Sequence, residues 1–191
     1  MDWMKQVSEV LDRYGDVDPV RPPVTVDTDF DVLAQQAPPE AISEGLSAAF
    51  RSDHTPEFPQ MASQLFGRAS GSQRAGMLNA LLAAVGPMVL QQILARRQRG
   101  PSPSAPQGGG LGGILGNILR GDGPPRVSPE VAEQVSTQEV EEIAREAEKK
   151  DPSVIDRISE VYSQQPELLK VLGSVALGVA LGKMAQKRHA Y

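Results

Sequence analysis

A chain of 191 residues, 40% hydrophobic but only 4% aromatic, can build one or two small domains with aliphatic cores. It has no cysteine, which excludes disulfides, thiolate nucleophiles and thiolate metal sites. The net charge of −5 is uneven: residues 1–60 carry 12 acids and 4 bases, residues 61–126 carry 7 arginines and 1 acid, and residues 127–191 carry 11 acids and 8 bases.

The first helix is expected over 2–14, where Trp3, Val7, Val10, Leu11 and Tyr14 recur at helical spacing and Gly15 ends the run. Pro19, Pro22 and Pro23 make residues 16–28 an extended connection. A short helix near 29–36 carries Phe30 and Leu33. Pro39 then sits at the first turn of a helix over 39–50, where its missing N–H costs nothing. Thr55-Pro56-Glu57 reads as the start of a helix running to 68, with Phe58, Met61, Leu65 and Phe66 buried. Two strongly apolar helices follow, 73–85 and 88–97, divided by Gly86-Pro87. Residues 100–126 read as a Gly/Pro/Ser-rich connector that embeds a short apolar helix at 109–120. Beyond it, a short helix covers 131–135. Ser136 with Glu139 makes a capping box for a helix to Lys150, and Asp151-Pro152 starts another over 152–164. Pro166 opens a last helix that runs unbroken to about Lys187.

The resulting expectation is an all-α chain of short helices in two small bundles. An N-terminal helical unit spans 1–99, the connector 100–126, and a C-terminal bundle 127–191.

No constellation for chemistry emerges. His54 lies in a proline-bounded turn and His189 near the end, neither at ligand spacing to another metal-binding type. No Gly-x-Ser-x-Gly elbow occurs. The glycine-rich run lacks the terminal Gly-Lys-Ser/Thr of a phosphate loop. The expectation is a non-enzyme with no cofactor, no metal and no small-molecule substrate.

Two places invite contact with a partner. Arg96, Arg97 and Arg99 form the densest positive cluster, but without aromatic neighbours for base stacking, so nucleic acid is not the expected partner. Ser174, Gly178 and Gly182 recur every four residues and make a small-residue ridge that lets two helix backbones approach closely. This ridge serves either the protein's own core or self-association. The longest apolar run, residues 171–182, is about 12 residues where a spanning helix needs roughly 20. A cytoplasmic protein is therefore expected, with contact to a membrane surface as the alternative, and a cleaved signal is not expected, since the residues around Trp3 lack a basic region followed by an apolar run.

The stretches Phe50-Arg-Ser-Asp-His-Thr-Pro-Glu-Phe58, Gln73-Arg-Ala-Gly-Met-Leu-Asn-Ala-Leu-Leu82, the glycine-leucine run at 108–116 and Pro152-Ser-Val-Ile-Asp-Arg-Ile-Ser-Glu-Val-Tyr162 resemble a group of short helical bacterial proteins with a central Gly/Leu-rich segment. The glycine-rich part is similar to the bacterial YidB-like family. The resemblance implies a bacterial helical protein and transfers no catalytic residue. The function it leaves open is that of a helical adaptor or self-associating structural protein, with a peripheral membrane or envelope-associated protein and a weak nucleic-acid binder as alternatives.

Overall fold

Capping chemistry places the helix starts. Ser136 Oγ accepts from the backbone N–H of Glu139, and the Glu139 carboxylate accepts from the Ser136 N–H at 2.7 Å, so two otherwise orphaned donors are satisfied together. Pro38 and Ser128 occupy extended N-cap positions before helices that carry proline in their first turn. The computed structural model describes residues 3–16, 18, 21–98, 112, 116 and 126–188, excepting the side chains of 3–6, 94, 97, 98, 187 and 188. Among these residues the chain is all-α. The helices are α1 Trp3–Tyr14, α2 Val26–Gln36, α3 Pro39–Phe50, α4 Phe58–Arg68, α5 Gly71–Gln98, α6 Pro129–Ala132, α7 Thr137–Lys150, α8 Val154–Ser163, α9 Pro166–Leu169 and α10 Ser174–Arg188. A single 3-10 turn, Lys170–Leu172, follows α9.

Most expected bounds hold; α2 starts at Val26, inside the stretch 16–28 expected to be extended, and two departures further along have local causes. Thr55 does not cap α4. Its hydroxyl turns back onto the carbonyls of Ala49 and Ser52, closing the end of α3, and α4 begins only at Phe58. The two expected helices 73–85 and 88–97 form as the two arms of α5, divided where Gly86 adopts the non-helical φ 75°, ψ 168° ahead of Pro87. The last helix is not continuous from Pro166. Gly173 adopts φ 87°, and the chain bends by 118° between Pro166–Leu172 and Ser174–Gln186. The expected apolar helix at 109–120 lies outside the described residues, apart from Gly112 and Gly116.

The division into 1–99 and 127–191 is corrected. The chain forms two compact units, one of residues 1–57 with 155–191 and one of residues 58–154. Burial explains why. The stripe of α3 (Ile42, Leu46, Ala49, Phe50) is covered by α10, which also packs on α1 and α2. The stripe of α7 (Val140, Ile143, Ala144, Ala147) is covered by α4 and α5. The stripes of α3 and α7 are therefore covered mainly by helices distant in sequence. In the first unit α3 and α10 approach closely at Gly45: a Cβ there would sit 2.9 Å from the Ala180 carbonyl oxygen and 3.2 Å from Met184 Cγ. In the second unit, Val127 is pinned to α5 by its N–H donating to Asn79 Oδ1 at 2.8 Å.

By length and composition alone Gly71–Ile93 would suffice to cross a membrane, but the stretch is interrupted at Gly86 and 44% of its most apolar window is buried inside the fold, as in a core helix.

Candidate functional site

Asp29 is the one buried carboxylate among the described residues, 6% exposed, in the first turn of α2. Three side chains converge on it. The Tyr14 hydroxyl at the end of α1 donates to Oδ2 at 2.8 Å, the Thr25 hydroxyl just before α2 donates to the same oxygen at 2.8 Å, and Arg13 Nη1 reaches Oδ1 at 3.4 Å. Burial, and then the bond to Asp29, push the Tyr14 phenol far above its ordinary range, so it stays protonated and donating at any physiological pH. Arg13 is half-exposed. The cluster holds a carboxylate, a phenol, a hydroxyl and a guanidinium, but its oxygens are turned into the α1–α2 junction and each described donor is spent on Asp29. Its geometry fits joining helices.

The other polar contacts have the same character. In the first unit, Arg51 at the end of α3 makes two parallel bonds of 2.8 Å to Asp156 on α8. The hydrogen bond from Arg51 is the largest cause holding the Asp156 carboxyl below the usual aspartate range, and a bond from Ser47 adds to it. Lys170 reaches Asp31 at 2.7 Å and Glu167 at 3.6 Å, and the bond to Asp31 raises its pKa first. In the second unit, Lys150 Nζ donates to the Val85 carbonyl at 2.6 Å, beside the Gly86–Pro87 kink. Arg74 closes the end of α4 by donating to the carbonyls of Phe66 and Gly67.

The expected arginine cluster is only partly described. Arg96 lies on α5 with its side chain 72% exposed and a loose 3.7 Å contact to Glu146. The Arg97 side chain and Arg99 lie outside the described residues. The small-residue ridge is divided. Ser174 is exposed at the start of α10, Gly178 is buried, and Gly182 is half-buried with the Tyr14 carbonyl 3.5 Å from where its Cβ would be. Its inner part faces the protein's own first unit. His54 is exposed in the α3–α4 turn, and His189 lies outside the described residues. Among the described residues no group of three or more His, Asp or Glu could hold a metal ion.

Sequence reasoning missed Asp29 and Gly45. An acid four residues after a threonine at a helix start was a readable signal for Asp29. Gly45 reads as a flaw in a helix until its neighbour on α10 is known. Compared with protein-family models, curated proteins and solved structures, the chain matches none.

Proposed function

We propose that the chain is a non-catalytic helical binding protein, an adaptor that offers a helix face to another protein. The observation that supports this is the outer face of α5 beyond its kink. Pro87, Met88, Gln91, Gln92, Ala95 and Arg96 are all exposed there, Met88 at 73%. A methionine set among uncharged polar residues, with arginine at one end, suits an apolar protein surface rimmed by acid. The one buried carboxylate among the described residues supports the same reading, since the Tyr14 bond to Asp29 joins α1 to α2. The inner turn of the Ser174–Gly178–Gly182 ridge is covered by the chain itself, so self-association is not assigned to Gly178.

The test is capture from the native host with the intact chain, the Met88→Asp variant and the Arg96→Glu variant. A partner retained by the intact chain and lost by both variants, with far-UV CD unchanged, is the expected result. A partner retained equally by all three removes α5 as the contact. Contact with a membrane surface is the second reading, favoured by the length and apolarity of Gly71–Ile93. Flotation with anionic vesicles, lost in Met88→Asp while protein capture is unaffected, would favour it instead.

A further inference from the structure

The helices fall into the same order twice. Extended residues Pro38 (φ −64°, ψ 146°) and Ser136 (φ −78°, ψ 157°) are the N-caps of α3 and α7. At one constant spacing from these caps, Ile42, Gly45, Leu46 and Ala49 of α3 correspond to Val140, Ile143, Ala144 and Ala147 of α7, and all eight are buried. With the register shortened by one residue, Phe58, Met61, Ala62, Leu65 and Phe66 of α4 correspond to Ile155, Ile158, Ser159, Tyr162 and Ser163 of α8, and all ten are buried. This accounts for Ser159 and Ser163, which sit at apolar positions with their hydroxyls bonded to the Ile155 and Glu160 carbonyls of their own helix.

The kinks correspond as well. Gly86 (φ 75°, ψ 168°) and Gly173 (φ 87°, ψ 166°) are the only residues of positive φ among those described, in a region of backbone space open almost solely to glycine. Around them Leu81, Leu82, Leu90 and Leu94 recur as Leu168, Leu169, Leu177 and Leu181 at identical offsets. Amphipathic period alone would align apolar residues. It would not by itself pair two glycines of the same rare conformation, each with leucines at the same four offsets.

The packing reverses the halves. In the first unit, α2 and α3 come from the first half of the chain, and α10, which covers them, from the second. In the second unit, α6 and α7 come from the second half, and α5, which covers them, from the first. We propose that residues 26–98 and 129–188 are two copies of one helical module, that each compact unit is a reciprocal exchange between them, and that the apolar face of each half is fitted to the other copy rather than to its own half.

The test keeps the full chain. A protease recognition sequence replacing residues 102–107 allows one cut in the connector of the folded protein. Exchange predicts that both fragments elute together at the mass of the uncut chain, with helical CD unchanged, and separate only in denaturant. Two separate helical fragments under native conditions would overturn it. In the same cut chain, Gly45→Leu places a side chain against α10 of the other half and should weaken fragment association by at least about tenfold, whereas the exposed Gly15→Ala should not. Association indifferent to Gly45→Leu would also overturn the exchange. The copy relationship has its own readout. Alanine or asparagine at Gly86 and at Gly173 should lower the thermal midpoint of the uncut chain alike. One site tolerant of both substitutions and the other intolerant would break the correspondence.

Discussion

Replacing Asp29 tests whether the buried cluster is an architectural joint. The Asp29 carboxylate accepts from Tyr14 and Thr25 at 2.8 Å each, and hydrogen bonds to a charged acceptor contribute about 1.5–3 kcal/mol. In Asp29→Ala the Tyr14 hydroxyl, on a residue only 2% exposed, loses its acceptor and carries a desolvation cost of about 1–3 kcal/mol. We expect Asp29→Ala to cost about 3 kcal/mol, Tyr14→Phe about 1.5 kcal/mol, and the pair to fall short of the sum by about 1.5 kcal/mol, because the second change removes a bond already lost. For a chain of this size, 3 kcal/mol corresponds to roughly 6–12 °C in thermal midpoint. Urea titrations followed by Trp3 fluorescence report on the unit that contains Asp29, since Trp3 is the single tryptophan and lies in the same unit. A cost for Asp29→Ala below about 0.5 kcal/mol, or strict additivity with Tyr14→Phe, would refute the joint. A large effect on partner capture at unchanged stability would make the cluster a binding site.

Other expectations follow from the contacts described. Gly45→Ala gains about 1 kcal/mol of helix propensity, but its Cβ meets a backbone oxygen at 2.9 Å, and overpacking of about 1–3 kcal/mol should leave a lower melting temperature by CD. Gly178→Leu should lower the midpoint while light scattering shows unchanged mass, because the position is buried within the first unit. Asp156 titrates below its unfolded value, so its contribution is present above the ordinary aspartate pKa of 3.8 and is lost as pH falls through the lower folded value. With the two side chains 44% and 56% exposed, the pair contributes no more than about 1 kcal/mol, and the urea midpoints of the wild type and Arg51→Ala should converge in strong acid. The triple change Arg96→Gln, Arg97→Gln, Arg99→Gln should alter stability by less than about 0.5 kcal/mol in the same titration.

Local structure was legible wherever one residue type fixes one backbone event. The Ser136–Glu139 box, Pro39 at the first turn of α3 and the Gly86–Pro87 break each carry their own signal, and the helices formed accordingly. Gly173 carried less, because it lies in a run of apolar residues whose helical period continues on both sides. Which helix covers which stripe was not legible at all. Leu, Ile, Val and Ala present similar surfaces, so α10 reads equally well against α7 as against α3, and only shape at Gly45 separates the two. Asp29 was concealed by the abundance of acids in the first 60 residues, where charge alone does not mark the one that turns inward.

The discontinuous first unit sets an order of folding. Its two parts are separated by residues 58–154, a loop of 154 − 58 + 1 = 97 residues, and closing a flexible loop of that length costs about 4 kcal/mol before a constant term. The second unit needs no such closure, since α4, α5, α6 and α7 are contiguous apart from the connector. Once it has formed, the intervening chain is no longer a flexible coil of that length, and closure of the first unit becomes less costly. Amides of α4, α5 and α7 should therefore gain protection before those of α2, α3, α8 and α10 when refolding is followed by pulsed hydrogen exchange and mass spectrometry. Removing residues 174–191 should expose the α3 stripe and melt the first unit while the α4 and α7 amides keep their protection. Simultaneous protection of both sets, or loss of both on that truncation, would mean that the second unit does not fold independently and that closure is not what orders the process.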